Sequence, residues 1–273
     1  MIEILKAIIL GIVEGITEWL PISSTGHIIL VDEFLKMNVS EQFMSMFTVV
    51  IQLGAILAVV VIYWKKIFPF RKKEGKILVN KNKMIMWIKI VIACLPAALI
   101  IPFDDKFEEL FHKPIPIALA LIIVGILFIL VENRNTEKTA KINSINDITY
   151  QAAIIIGVFQ MIAGIFPGVS RSGATILGGI SIGLSRTIAA EFTFFLAIPV
   201  MFGASFIKLL KFGFAFTGFE ITLLLVASLV SFIVSVATIK FLINYVKKHD
   251  FKIFGWYRIA LGILVILYFT VLQ

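Results

Sequence analysis

Six apolar runs, residues 43–64, 84–101, 115–131, 188–209, 219–244 and 254–272, make up nearly half of this 273-residue chain. A bilayer core of about 30 Å is crossed by roughly 20 helical residues, so each run has about the length of a membrane span. The chain is 60% hydrophobic and only 15% charged, which lies outside the range of soluble domains. The runs are continuous and do not alternate apolar with polar residues, so helices are expected and a barrel is excluded.

Two further apolar segments are interrupted. Residues 2–35 are broken at Pro21 and residues 148–182 at Pro167, and polar residues follow each proline. Unpaired backbone is not tolerated against lipid, so both breaks must be sheltered by protein or line a wet cavity. Each segment is expected to form a re-entrant helix-loop-helix hairpin that enters and leaves on one side.

The two segments also resemble each other. AIILGIVEGITEWLPISSTG from Ala7 aligns with AIIIGVFQMIAGIFPGVSRS from Ala153, matching Gly11 with Gly157, Pro21 with Pro167, and Ser24 with Ser170. Each half then contains one hairpin and three spans, and an odd number of spans turns the second half upside down. The expected fold is an all-α polytopic membrane protein: six transmembrane helices plus two re-entrant hairpins in an inverted-topology repeat, with halves at about 1–135 and 147–273 of a single domain. Such repeats place their sites where the broken helices face each other.

The formal net charge of +8 does not indicate nucleic acid, because the cations sit in short groups beside the spans. One side collects Lys65, Lys66, Arg71, Lys72, Lys73, Lys76, Lys81 and Lys83, then Arg134, Lys138 and Lys141, then Lys247, Lys248, Lys252 and Arg258. The other has Lys106 and Lys113 beside four acids, then Lys208 and Lys211. The basic side is expected in the cytoplasm, leaving both termini and the mouth of the first hairpin outside. Glu3, Glu14 and Glu18, without a strongly basic start, argue against reading the N-terminus as a signal peptide. The single cysteine, Cys94, reads as packing.

The chemistry concentrates at the two breaks. Glu14 and Glu18 lie one helical turn apart on one face. Two acids in an inserted helix are costly, which points to a divalent-cation pair, Mg²⁺ or Ca²⁺, or to acid/base work. Ser23, Ser24 and Thr25 follow Pro21, with His27 three positions after Ser24 as one of only three histidines. A serine nucleophile needs a base, and an imidazole or carboxylate can serve. In the second break, Arg171 offers a planar fork for phosphate, with Ser170, Ser172, Gly173 and Thr175 supplying hydroxyls and amides at a helix start. Gln52, Gln160 and Glu191 read as interhelical hydrogen-bonding groups, and His112 and His249 as solvated loop residues.

EGITEWLPISSTGH and PGVSRSGAT resemble the two signature motifs of the undecaprenyl-pyrophosphate phosphatase family, the bacitracin-resistance type of bacterial membrane phosphatase. The resemblance implies hydrolysis of a polyprenyl pyrophosphate in the bacterial cell membrane, a divalent cation and an outward-facing site. It further implies Glu14 and Glu18 as the acidic pair, Ser24 as candidate nucleophile, His27 as the essential imidazole, and Ser170 and Arg171 as phosphate-binding residues. Ser23, Thr25, Ser172 and Thr175 complete the expected pyrophosphate site, and a homodimer is left open. The rival readings are a secondary transporter or lipid flippase, which shares the inverted repeat, and an intramembrane protease, which gives Arg171 no role.

Overall fold

The computed structural model describes residues 1–73, 76–135, 140–213 and 215–272. Lys138, counted above with the basic side, lies outside them. Among the described residues, six helical rods are long and apolar enough to cross a membrane: Glu41–Ile67, Lys81–Phe103, Pro114–Asn135, Arg186–Phe212, Gly218–Val246 and Lys252–Val271. They answer to the six runs one for one, and the chain is a multi-pass helical membrane protein. Leu225, Leu229 and Ile233 recur one turn apart on the fifth rod and are largely exposed, as a surface solvated by lipid should be.

The helices in chain order are α1 (Ile2–Thr17), α2 (Ser24–Leu35), α3 (Glu41–Val50), α4 (Gln52–Ile67), α5 (Lys81–Ala98) and α6 (Asp104–Phe111). They continue with α7 (Pro114–Asn135), α8 (Tyr150–Ile165), α9 (Arg171–Ser181), α10 (Arg186–Phe212), α11 (Gly218–Val246) and α12 (Lys252–Leu267). Helices α3 and α4 run in series as the first rod. The basic loop after α4 contains a short antiparallel hairpin, β1 (Phe70–Lys73) with β2 (Lys76–Val79), in register from Phe70 opposite Val79 to Lys73 opposite Lys76. Sequence reading expected only a loop there; strand pairing satisfies the backbone once it leaves the helices.

The proline-broken segments become the pairs α1/α2 and α8/α9, and the ends of each pair meet. Lys6 Nζ donates to Lys36 O at 2.9 Å and Asn38 N donates to Glu3 Oε2 at 2.9 Å, joining the start of α1 to the end of α2. In the second pair, Lys141 N and Ile142 N donate to Gly183 O at 2.9 and 3.1 Å, and Ser185 N donates to Ile142 O at 2.9 Å. The chain leading into α8 therefore lies beside the chain leaving α9. This is the arrangement expected of hairpins that return to the side they came from.

Packing crosses between the halves. Helix α1 lies along α11, α8 along α5, and α7 along α12. If α1 corresponds to α8, and α5 to α11, each hairpin packs on the counterpart of the other's partner, as a two-fold relation would require. The residues matched by the repeat also carry equivalent contacts. A Cβ at Gly11 would lie 2.6 Å from Ala227 O on α11, and one at Gly157 would strike Ala93 O on α5. Only glycine allows such approach of two backbones.

Helix α12, which carries residues of the site, is anchored at its start. The Glu132 carboxylate on α7, 1% exposed, accepts from Arg186 Nη2 at 2.6 Å and from Phe251 N at 3.0 Å. One buried anion thus ties together α7, α10 and the approach to α12. A second ion pair, Lys66 to Glu191 at 2.8 Å, joins α4 to α10.

These contacts predict that Gly11→Val and Gly157→Val each destabilise the fold by about 1–3 kcal/mol through overpacking. A lower melting temperature in detergent would show it. Gly203→Ala, where an added Cβ meets nothing within 4 Å, should leave melting unchanged or raise it.

Candidate active site at the junction of two broken helices

Both turns end in the same local device. Ser23 and Ser170, just ahead of α2 and α9, have φ of 76° and 70°, a left-handed conformation that costs a non-glycine residue free energy and persists only where surroundings hold it. Each serine caps its helix: Ser23 Oγ accepts from Gly26 N at 3.4 Å and Ser170 Oγ from Gly173 N at 3.1 Å. The match of Ser24 with Ser170 is therefore corrected by one position. Ser23 is the counterpart of Ser170 and Ser24 that of Arg171, because the second turn has one more residue between its proline and its helix.

Glu18 stands at the centre. Its Oε2 accepts from Ser24 Oγ at 2.7 Å and its Oε1 from Arg171 Nη2 at 2.7 Å. The carboxylate is 6% exposed. Three groups separated in sequence, from the end of α1, the start of α2 and the start of α9, thus form one chain of charge-assisted hydrogen bonds. Arg171 Nη1 also donates to Thr193 O at 3.4 Å, which holds the guanidinium against α10.

Glu14, one turn earlier, is 0% exposed, and neither carboxylate oxygen has a hydrogen-bond partner among the described residues. A bare carboxylate so deep is costly unless a proton or a cation neutralises it. Together with Glu18 it presents the hard oxygen donors that Mg²⁺ or Ca²⁺ takes, so the pair fits the expected cation. No group of three or more His, Cys, Asp or Glu that could hold a metal gathers among the described residues.

His27 is directed elsewhere. Its Nδ1 lies 2.7 Å from Ser23 O and its Nε2 2.7 Å from Tyr257 Oη. It does not bond Ser24; the group on the Ser24 hydroxyl is Glu18. The serine–histidine pairing suggested by their spacing in sequence is not formed, because both ring nitrogens are engaged elsewhere, by Ser23 O ahead of α2 and by Tyr257 on α12.

The remaining candidates divide. Thr25 and Ser24 line an open cleft of about 760 Å³ whose walls include Ile28, Thr48, Val49, Gln52, Cys94, Pro167 and Pro199. Glu108, His112, Lys208 and Lys211 stand along it as well. Cys94, expected to be packing, is thus part of a cavity wall. Ser170 Oγ is 3.1 Å from Ser172 Oγ, and Ser172 Oγ donates to Leu20 O at 3.3 Å, joining the two turns. Thr175 is 0% exposed, donates to Arg171 O at 2.9 Å and accepts from Thr193 Oγ1 at 2.8 Å. It braces α9 against α10 and does not face the cleft. Glu191 pairs with Lys66 as expected of an interhelical group, whereas the buried Gln160 amide has no partner among the described residues.

Sequence reasoning misplaced one residue that the site depends on. Arg258, counted among the basic loops, is 0% exposed. Its Nη1 donates to Pro21 O at 3.1 Å and its Nη2 to Gly168 O at 2.7 Å and Val169 O at 2.8 Å. One guanidinium on α12 holds carbonyls of both turns. The available signal was its position inside the 254–272 apolar run, where an arginine needs a partner.

A family profile described as bacitracin resistance protein BacA matches residues 7–264. A relative from Desulfitobacterium hafniense named undecaprenyl-diphosphatase is 62% identical over 99% of this chain and 97% of its own length. Another of that name, from Lachnoclostridium phytofermentans, is 63% identical over 98% and 97%. A third, from Enterococcus faecalis, is 59% identical over 97% of each chain.

Arg258→Met is predicted to cost about 2–5 kcal/mol, since three buried carbonyls lose a charged donor. Arg258→Lys, with a point charge that cannot fork between both turns, should fall between it and wild type. Unchanged melting of the methionine variant in detergent would remove Arg258 from this role.

Proposed function

The chain belongs to the bacitracin resistance protein BacA family, and on that premise we propose that it hydrolyses undecaprenyl pyrophosphate, or a related polyprenyl pyrophosphate. The products are the monophosphate and inorganic phosphate, so the reaction recycles the lipid carrier of cell-wall polymer synthesis. The observation that carries this reading is Glu18 bonded at once to the Ser24 hydroxyl and the Arg171 guanidinium, with Ser24 itself in the wall of a cleft lined largely by apolar residues. A nucleophile, its proton acceptor and a phosphate-binding cation sit together where a lipid tail can lie alongside.

In the mechanism that follows, Ser24 Oγ attacks the terminal phosphorus while its proton passes to Glu18 Oε2. The bond from that phosphorus to the bridging oxygen breaks, and the prenyl monophosphate departs. Water then cleaves the serine phosphoester, with Glu18 returning the proton. Arg171 has N–H groups beyond those given to Glu18 and Thr193, and these meet the phosphoryl oxygens on which charge accumulates. Ser170 and the amides opening α9 extend the same anion site. Glu14 and Glu18 would hold a divalent cation, Mg²⁺ or Ca²⁺, which supplies further neutralisation of phosphoryl charge.

The site is proposed to face outward from the bacterial plasma membrane. Lys141, Arg186 and Lys247 share one end of the bundle, and Lys208, with Glu108 3.5 Å away, stands along the cleft with Lys211. The positive-inside bias assigns the first end to the cytoplasm. The two halves, about 1–135 and 147–273, are proposed to be inverted copies, each contributing one turn. Transport without hydrolysis would use the same cleft but leave the Ser24–Glu18 bond without a purpose.

Purified protein in detergent should release phosphate from a polyprenyl pyrophosphate when Mg²⁺ or Ca²⁺ is added and stop when it is chelated. Glu18→Gln and Arg171→Lys should each lower kcat by about 10²-fold or more. No release from wild type with either metal would sink the phosphatase reading, and a Ser24→Ala variant of substantial activity would make water the nucleophile.

A further inference from the structure

His27 is held at both nitrogens. Ser23 O, 2.7 Å from Nδ1, is a carbonyl and can only accept, so Nδ1 carries the proton. In the neutral ring Nε2 then offers a lone pair, and Tyr257 Oη, 2.7 Å away, donates to it. The two rings lie parallel, 3° apart in plane with centroids separated by 5.6 Å. This is a fixed tautomer in a fixed orientation, and neither nitrogen is aimed at Ser24.

The atom that His27 holds is significant. Ser23 has φ of 76° and caps α2 through its side chain, so its backbone sets where the next residue, Ser24, begins the helix. A strained residue keeps its conformation only if its peptide groups are engaged, and His27 engages the Ser23 carbonyl. Tyr257 precedes Arg258, which holds Pro21 O in the same turn. Helix α12 thus grips this turn at two points, one through a guanidinium and one through an imidazole.

We propose that Tyr257 is a positioning residue: its hydroxyl locks His27 as the Nδ1–H tautomer, which fixes the Ser23 carbonyl and so presents Ser24 Oγ to Glu18 and the cleft. His27 accordingly serves as a brace of the turn and is not the base on Ser24. The inference rests on the phosphatase reading for its effect on rate, but its structural content stands apart from that reading.

Tyr257→Phe keeps the ring and its stacking and deletes only the hydroxyl. Its kcat for a polyprenyl pyrophosphate should fall about tenfold, the worth of one well-placed hydrogen bond, with KM within about twofold and melting unchanged. His27→Asn supplies an amide N–H to the Ser23 carbonyl and should exceed His27→Ala in kcat by about tenfold. In ¹⁵N NMR of histidine-labelled protein, which has three histidines, the His27 signal should report Nδ1–H in wild type and lose that fixed state in Tyr257→Phe.

Wild-type kcat in Tyr257→Phe, or a loss confined to KM and melting, overturns the proposal, as does equal inactivity of His27→Asn and His27→Ala. An Nε2–H ring in wild type also overturns it. If wild type releases no phosphate, the functional reading fails, and the NMR result alone decides whether Tyr257 holds the tautomer.

Discussion

The site depends on a single buried guanidinium. Two hairpins far apart in sequence each end a helix in mid-bundle and leave carbonyls without helical partners. Arg258 takes Pro21 O from the first turn, and Gly168 O and Val169 O from the second. An unpaired carbonyl in such surroundings costs on the order of 1–3 kcal/mol, and a buried cation without acceptors costs more. Each resolves the other's deficit, and the result fixes the distance between the turns. Glu18 can then reach both Ser24 on its own hairpin and Arg171 on the other.

This arrangement accounts for breaking helices inside a membrane protein at all. An intact span satisfies its own backbone and therefore offers no amides or carbonyls to a ligand. Ending α1 and α8 within the bundle exposes such groups, and beginning α2 and α9 there turns helix N-termini toward the gap. The left-handed serines, Ser23 and Ser170, show that the backbone at the breaks is not relaxed. Local strain is held by tertiary contacts: caps to Gly26 and Gly173, the Ser172 bond to Leu20 O, and the grip of α12.

The architecture was largely legible because lipid imposes a simple rule on sequence. Spans must be apolar and about 20 residues long, so six runs read directly as six rods. The interrupted segments were equally plain, since Pro21 and Pro167 each follow an apolar helix and precede hydroxyls. Glu18 and Arg171 stood out for the cost of placing charges at that depth, and Ser24 for its place after Pro21 and three positions before His27. The pairing among them was not legible. Spacing along α2 suggested that His27 would serve Ser24, whereas the ring turns to Ser23 O and Tyr257. Thr175 looked like a phosphate ligand by position in its motif, yet its hydroxyl is committed to Thr193 and its own helix.

Sequence by itself determined the class of fold, the two breaks and the inventory of chemistry, because hydropathy, proline and the expense of a buried charge act locally and can be counted along the chain. Tertiary structure alone decided which groups face each other. Arg258 lies 237 residues from the Pro21 carbonyl it holds and Arg171 lies 153 from Glu18. Contacts between segments so distant depend on how α1 packs on α11, α8 on α5 and α7 on α12. No periodicity within one segment carries that information, since the direction of a side chain is settled by the surface it meets.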